Sequence, residues 1–248
     1  MKHCLSVCLL LAFFTTAHAQ QLDSIPAAPP PKQQKKKDWS KLDLSQRSAD
    51  HLMLQFGYAG WAQTPDTINT GGFSRSLNIY FFFDFPFKSN PRISVGLGVG
   101  YGSDNIFFKE TLVDIKSGTA VTIRKDTITQ YKKLKLATGY VEIPLELRFS
   151  TNPEDMNKGF KFALGAKVGL LVDGKVKAKI DRDAAGNSGY IYKEKETKFF
   201  QSSRVAGIVR IGYGNFTVFG SYTLTNFFKE IAGPAVKPWT IGLSLSGL

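Results

Sequence analysis

YVEIPLELRF, residues 140–149, places two glutamates, an arginine and a proline inside an otherwise apolar segment. The apolar side chains occupy the odd positions from Val141 onward. After Tyr140, the even positions hold Glu142, Pro144, Glu146 and Arg148. A period of two predicts a β-strand with one apolar face and one charged face. In a soluble barrel the charged face would contact water, whereas in a barrel that crosses a bilayer the apolar face is outside and the charges are inside.

The first nineteen residues predict that the protein is exported. MKHCLSVCLLLAFFTTAHA has a basic start, an apolar run and an Ala-His-Ala ending, which is the pattern of a secretory signal peptide cleaved before Gln20. The apolar run is shorter than the roughly twenty residues that a transmembrane helix needs. Cys4 and Cys8, the two cysteines of the chain, both lie in this segment. The mature chain is therefore predicted to have neither a disulfide nor a cysteine-ligated metal.

Residues 20–50 differ in composition from the rest of the chain. PAAPPPKQQKKK, residues 26–37, combines prolines with lysines and has too few apolar residues to form a core. We predict a periplasmic Pro/Lys-rich linker over residues 20–50, with a basic tether to anionic headgroups or polymer as the alternative. The formal net charge of the chain is +12, which favours an anionic partner, and export makes nucleic acid an unsuitable one.

From His51 onward, segments with a period of two recur along the chain. We predict eight strands, over residues 51–59, 73–85, 93–102, 140–149, 160–170, 203–213, 216–224 and 238–247. In the third strand, apolar residues alternate with Ser94 and four glycines. Small side chains on the inner face of a narrow barrel make room for bulky neighbours that cross the lumen.

The connections between these strands alternate in length. Short turns are predicted over residues 86–91, 151–159 and 214–215, and long connections over residues 64–72, 103–135, 173–202 and 226–237. This layout predicts an all-β fold, an eight-stranded antiparallel up-and-down barrel over residues 51–248 with its long loops outside the cell. A soluble lipocalin-like barrel is the alternative, but it would expose Phe81, Phe83 and Phe85 to water as part of a large apolar patch.

The inward parity of a membrane barrel would bring acidic and basic side chains together in the lumen. The predicted ion network consists of Asp84, Glu142, Glu146, Arg148, Lys161, Lys167, Arg204 and Arg210. Buried charges need partners, and the turn at residues 151–159 predicts that Glu142 lies opposite Lys167. Pro144 predicts a local bulge or bend in its strand because it lacks a backbone donor. Structural filling of the lumen and a conduction or binding role both stay open.

YVEIPLELRF resembles the YxEIPxxLR/K strand of PorT-type outer-membrane β-barrel proteins of Bacteroidota. Further segments are similar to the same group: GFSRSLNIYFFFDFPF, ISVGLGVGYGSDNIFF, FKFALGAKVGLLV, RIGYGNFTVFGSYTLTNFF and WTIGLSLSGL. The resemblance covers nearly all of residues 39–248. It implies an eight-stranded barrel in the outer membrane of a Gram-negative cell, and one branch of the group assists type IX secretion. Likeness of fold does not assign a function.

Candidate catalytic groups are few in the mature chain. His51 is its one histidine, and the sequence contains no GxSxG, HExxH or P-loop motif. Asp181 and Asp183 leave a carboxylate site as an alternative, although acidic residues in a lysine-rich loop are typical of a solvated surface. We therefore predict a non-enzymatic protein without a cofactor or a metal ion.

Two classes of function remain. The first is a structural or surface-interaction barrel in contact with outer-membrane lipid and lipopolysaccharide, and the second is an accessory of a secretion or transport system. The predicted surface anion contacts are Lys175, Lys177, Lys179, Lys193, Lys195 and Lys198. The barrel-insertion machinery and secretion-system proteins are the predicted protein partners. A pore is disfavoured because side chains fill the interior of an eight-stranded barrel.

Overall fold

The structure is a computed structural model that describes residues 51–66, 68–116, 118–182, 185–187 and 189–247. The predicted signal peptide and linker lie outside the described residues. Within the described part of the chain, no helix combines the length and the apolar character needed to cross a membrane.

The described chain is built from strands. They are β1 (Leu52–Ala62), β2 (Arg75–Pro86), β3 (Ile93–Phe108), β4 (Thr111–Asp114), β5 (Thr122–Lys125), β6 (Gln130–Ser150), β7 (Phe160–Arg182), β8 (Ile191–Lys195), β9 (Ser203–Tyr213), β10 (Phe216–Thr223) and β11 (Lys237–Ser246). A short 3-10 helix, Met156–Lys158, lies between β6 and β7.

Eight of these strands close into an antiparallel barrel. The order around the barrel is β1, β2, β3, β6, β7, β9, β10 and β11, and β11 pairs with β1 to complete the circle. The remaining strands lie outside the ring, since β8 extends the sheet beside the far part of β7 and β4 pairs with β5 in a separate hairpin. The predicted all-β, eight-stranded barrel is confirmed.

The two ends of the barrel differ. At one end, here called the turn end, residues 87–92, 151–159 and 214–215 connect the strands. At the other, the loop end, the connections cover residues 63–74, 109–129, 183–202 and 224–236. The predicted connections over residues 103–135 and 173–202 are too long. The strands extend into them, since β3 continues to Phe108, β6 begins at Gln130 and β7 continues to Arg182. Lysines alternate with Val176, Ala178 and Ile180 in this part of β7, so its period of two is that of a strand.

The outer surface of the barrel is an apolar belt. Leu145, Phe83 and Leu170 are exposed over 53%, 51% and 61% of their surface, and the other outward residues of β1 to β3 near the turn end are apolar as well. The inward positions of the same strands are mostly buried. An outward apolar face with an inward polar face is the arrangement of a barrel that crosses a bilayer.

A charge on this belt should destabilise the protein. Leu97, in the middle of β3, is 42% exposed on the outer face, and Leu97→Arg should lower the free energy of unfolding in lipid vesicles by about 2 to 4 kcal/mol. Leu97→Ala is the matched control and should cost much less, because it leaves an apolar side chain against lipid. Equal losses in the two variants would show that this face does not contact the bilayer.

Of the bulge or bend predicted at Pro144, the bulge is absent, and the irregularities of the β6–β7 register lie elsewhere. Pro144 keeps the regular register with Lys167 of β7, while the β6–β7 register shifts between Gly139 and Tyr140. Gly139 pairs with Asp173 and Tyr140 pairs with Leu171, so Val172 of β7 has no partner on β6. The missing donor of Pro144 is accommodated without an added residue. The extra residue at Val172 instead reverses the facing of β7 from Asp173 to Ile180.

Candidate functional site

Glu142 is the centre of a buried charged cluster nearer the loop end. Its carboxylate is fully buried and accepts hydrogen bonds from Lys167 Nζ at 3.1 Å and Tyr80 Oη at 2.5 Å. Arg204 donates to the same carboxylate from Nε at 2.7 Å and joins Asp104 through Nη1 at 2.6 Å. This upper charged cluster thus consists of two acids and two bases that are held by β3, β6, β7 and β9.

Glu142 and Lys167 form an ion pair, but the predicted register is wrong by two residues. Glu142 lies opposite Gly169, and Lys167 lies opposite Pro144. The contact is therefore diagonal across the sheet, which a long lysine side chain can span. Gly169 leaves the space directly opposite Glu142 free for Arg204, since a Cβ at Gly169 would lie 3.2 Å from Arg204 Cγ.

A lower charged cluster lies nearer the turn end. Arg210 donates to both oxygens of Glu146, at 3.2 Å from Nε and 2.6 Å from Nη2. Arg148 Nε donates to the same carboxylate at 2.9 Å, and its Nη1 lies 3.6 Å from Asp84 Oδ1. Ser94 donates to Asp84 at 2.7 Å. These contacts follow the favoured pairing of guanidinium groups with carboxylates.

Small residues and aromatic rings complete the lumen. A Cβ at Gly98 would lie 2.8 Å from the ring of Phe82, so the glycine makes room for that ring. The guanidinium carbon of Arg148 lies 4.1 Å from the centre of the Phe82 ring, which is a favourable cation-π distance. Arg204 stacks in the same way on the Tyr140 ring at 4.0 Å. This packing agrees with the prediction that glycines on the inner face make room for bulky neighbours.

Lys161, the remaining member of the predicted network, lines a small cavity together with Arg148 and Arg210 of the lower charged cluster. Its side chain is buried at the turn end, with Nζ 3.4 Å from Asn157 Oδ1. A cavity of about 10 Å³ lies among Arg148, Lys161 and Arg210, which is about the space of one water molecule. The charged side chains therefore fill this part of the lumen.

The loop end holds an apolar core that the sequence analysis did not identify. This loop-end core consists of Ala59, Trp61, Ile68, Ile106, Phe108, Val113, Ile115, Val121, Leu134, Leu136, Val176, Ala178, Ile180, Phe199, Phe200, Phe227, Phe228, Ala232 and Val236. Phe200 stacks on Phe228 with ring centres 5.5 Å apart, and Trp61 contacts Phe227 at 5.1 Å. The aromatic pairs Phe199-Phe200 and Phe227-Phe228, each within a connection, were the sequence signal for it.

His51, for which the sequence analysis predicted no catalytic role, has a structural environment at the turn end. Its Nδ1 lies 3.0 Å from the carbonyl oxygen of Phe82, and its ring stacks on Phe81 with centres 6.0 Å apart. Asp183, one of the two loop aspartates, lies outside the described residues. Within the described residues, no group of three or more acidic, histidine or cysteine side chains comes together in a way that could hold a metal ion.

The outer surface near the loop end carries a strip of lysines on β6, β7 and β8. This lysine face consists of Lys133, Lys135, Lys175, Lys177, Lys179, Lys193 and Lys195. Five of the six predicted anion contacts belong to it, whereas Lys198 lies beside the Phe199 ring at 4.7 Å. Lys133 and Lys135 were not among the predicted anion contacts, because their segment was predicted to be a loop.

Few acids neutralise the lysine face. Asp173 binds Lys175 and, at 3.3 Å, Lys195. Burial alone would raise the pKa of Asp173, but the hydrogen bonds from these two lysines lower it below its ordinary value. Among the described residues, no carboxylate forms an ion pair with Lys133, Lys177, Lys179 or Lys193.

Lys135 lies at the middle of the face. Its Nζ donates to Asn105 Oδ1 at 2.6 Å and lies 6.0 Å from the centre of the Phe107 ring. Burial lowers the pKa of Lys135, and the neighbouring cations, Lys133 and Arg75 foremost, lower it further. The face is therefore a region of strong positive potential with polar and aromatic neighbours, which is suited to anions.

Comparison with known proteins gives a family and a structural likeness. The family model of the outer membrane protein beta-barrel domain matches residues 33–231. No curated protein sequence matches the chain. Two similar solved structures are of Ail, the attachment invasion locus protein of Yersinia pestis, one of them in complex with the heparin analogue sucrose octasulfate. The complex is 14% identical, covers 78% of this chain and 96% of its own, and has a TM-score of 0.29. The other structure is also 14% identical, covers 79% of this chain and 99% of its own, and has a TM-score of 0.30.

Proposed function

Because the chain belongs to the outer membrane protein β-barrel domain family, we propose that it is a non-enzymatic barrel with a structural or surface-interaction role. The observation that carries this proposal is the closed lumen. Ion pairs fill its middle, through Glu142 and Glu146, and the loop-end core covers one end of it. A barrel without a passage acts through the surfaces that it presents to lipid and to the outside.

Recordings of current across a planar bilayer test this proposal. The refolded chain should give no stable single-channel currents, since eight strands leave an interior that side chains fill. Insertion is verified separately by the protection of the barrel from protease in lipid vesicles. Stable unitary currents from inserted protein would contradict the closed lumen and would favour a transport role.

We propose further that the loop end faces the outside of the cell and the turn end faces the periplasm. Bacterial outer-membrane barrels have short periplasmic turns and longer external loops, and the connections of this chain differ in the same way. The described residues contain no cysteine, and the chain's two cysteines lie in the predicted signal peptide. Single introduced cysteines therefore report the orientation.

Thr127→Cys and Ser89→Cys form a matched pair for this test. Thr127 is exposed at the loop end, and Ser89 is exposed at the turn end. A membrane-impermeant maleimide added to intact cells should label Thr127→Cys only, and both variants should react after the cells are broken. Labelling of Ser89→Cys in intact cells would reverse the proposed orientation.

The finer assignment to the PorT-type group of Bacteroidota is also a proposal. Its support is the YVEIPLELRF strand, in which Glu142, Glu146 and Arg148 are the lumen-filling ions. The residues that carry the resemblance thus have a structural part in this barrel. They favour a shared architecture and do not by themselves favour a role in secretion.

A further inference from the structure

We propose that the lysine face binds the phosphate groups of a phosphorylated glycolipid in the outer leaflet of the outer membrane. This inference rests on the proposed function, because the lysine face meets that leaflet only if the loop end faces outward. Lysine is a common phosphate ligand that acts as a point charge. Four observations support this choice of ligand, and they concern charge pairing, a groove, the distance from the apolar belt and the facing of the strands.

The first observation is that like charges lie directly opposite one another. Lys135 is the cross-strand partner of Lys177, and Lys177 is also the partner of Lys193 on the other side. Lys133 faces Lys179 in the same manner. Like charges at directly opposite positions destabilise a sheet, so the free protein carries a repulsion that a bound polyanion would relieve.

A groove runs between these cations. It has a volume of about 190 Å³ and is lined by Lys133, Lys135, Lys177, Lys179 and Ile191. On the same measure one water molecule needs about 10 to 15 Å³, so the groove has room for a phosphate group with part of the sugar that carries it. Its lining combines four ammonium groups with one apolar side chain.

The third observation is the distance from the apolar belt. Val172 is the last exposed apolar residue of β7 before the lysines, at 50% exposure. At about 3.3 Å per residue, Lys175 lies roughly 10 Å further along the strand and Lys179 roughly 23 Å further. The polar layer on each side of a bilayer is only about 5 to 8 Å thick.

This distance distinguishes between a phospholipid and a glycolipid as the ligand. Even with a strand tilt of about 45°, Lys179 extends beyond the headgroup phosphates of an ordinary phospholipid. A glycolipid that carries phosphates on several sugars places anions both at the level of Lys175 and above it. The extent of the lysine face therefore fits the glycolipid better than a phospholipid.

The facing of β7 is the fourth observation. Because the bulge at Val172 reverses the facing of the strand, Lys175, Lys177 and Lys179 lie on the same outer surface as the apolar belt. The opposite positions, Val176 and Ala178, enter the loop-end core. The lysines thus continue the surface that contacts lipid tails, which places them beside the headgroups of the same lipids.

A triple variant of the full chain tests the inference. Lys133→Gln, Lys177→Gln and Lys179→Gln together remove three groove lysines. The matched control removes three exposed lysines from other places, as Lys88→Gln, Lys125→Gln and Lys229→Gln. Both are refolded into phosphatidylcholine nanodiscs, and binding is measured with purified lipopolysaccharide, with the same lipopolysaccharide after enzymatic dephosphorylation, and with vesicles containing phosphatidylglycerol.

The wild type should bind the phosphorylated lipopolysaccharide more tightly than the two other probes. The groove variant should lose about a hundredfold in this affinity, since each lysine near a membrane surface contributes about fivefold, and the control should lose less than about threefold. Without lipopolysaccharide, the groove variant should melt no lower than the wild type, because the substitutions remove repulsion between lysines. This melting measurement separates a loss of binding from a loss of folding.

Three results would each overturn the inference: equal binding of dephosphorylated lipopolysaccharide, equal binding of phosphatidylglycerol vesicles, or equal losses in the groove and control variants. None of them bears on the closed lumen or on the orientation, which the current recordings and the maleimide labelling test independently. Conversely, labelling of Ser89→Cys in intact cells would overturn the orientation and the glycolipid proposal together.

Discussion

Glu142→Gln should lower the free energy of unfolding by about 3 to 5 kcal/mol, which is the cost of removing one partner from a buried ion pair. The variant leaves Lys167 and Arg204 in the lumen with Asp104 as the nearest remaining acid of the upper cluster. Lys167→Met should cost less, because Glu142 keeps its contacts with Arg204. Urea unfolding in lipid vesicles measures both values.

A double-mutant cycle separates this interaction from the general cost of substitution. The variant that carries both Glu142→Gln and Lys167→Met should recover part of the loss, since neither a carboxylate nor its ammonium partner is then left behind. Glu230→Gln, at an exposed glutamate of the loop end, is the matched control and should change stability by less than about 0.5 kcal/mol. Strictly additive losses in the cycle would show that Glu142 and Lys167 do not interact.

Phe200→Ala should cost about 3 to 5 kcal/mol, because it removes a fully buried ring from the loop-end core. The ring contacts Phe227 at 5.4 Å and Phe228 at 5.5 Å, so its loss leaves a cavity between aromatic neighbours. The same urea titration measures the effect.

Phe216→Ala provides the comparison for Phe200. Phe216 is 67% exposed on the outer surface of β10, where lipid fills the space of a truncated side chain, and its loss should therefore cost much less. If Phe200→Ala and Phe216→Ala are equally mild, the loop-end core does not contribute to stability as a packed unit.

Much of the barrel could be predicted from the sequence because its strands obey a period of two. In a narrow barrel this period fixes which side chains point inward, so it also placed Glu142, Glu146, Arg204 and Arg210 in the lumen. The diagonal contact of Glu142 with Lys167 was not predictable to the residue, since the position of the turn fixes a register only to within one or two residues. A lysine side chain is long enough to reach Glu142 both from the directly opposite position and from two residues away along the strand.

The loop-end core could not be derived in the same way. Phe200, Phe227 and Phe228 lie in connections without a regular period, and their burial depends on contacts between segments that are far apart in the chain. The bulge at Val172 was equally hidden, because nothing in the local sequence distinguishes Leu170-Leu171-Val172 from a regular strand. Lys133 and Lys135 were assigned to a loop for another reason, because β6 begins at Gln130 and not at Tyr140 as predicted.

The unpaired residue Val172 allows β7 to face lipid along one part of its length and water along the other. On the membrane side of Val172 the even positions of β7 face outward, and beyond it the odd positions do so. An insertion or deletion of one residue between Val172 and Lys175 would turn the lysines of β7 toward the loop-end core and would turn Val176 and Ala178 toward water. Length variation in this segment among related barrels should therefore occur in steps of two residues, whereas the tips of the connections are free to change by any number.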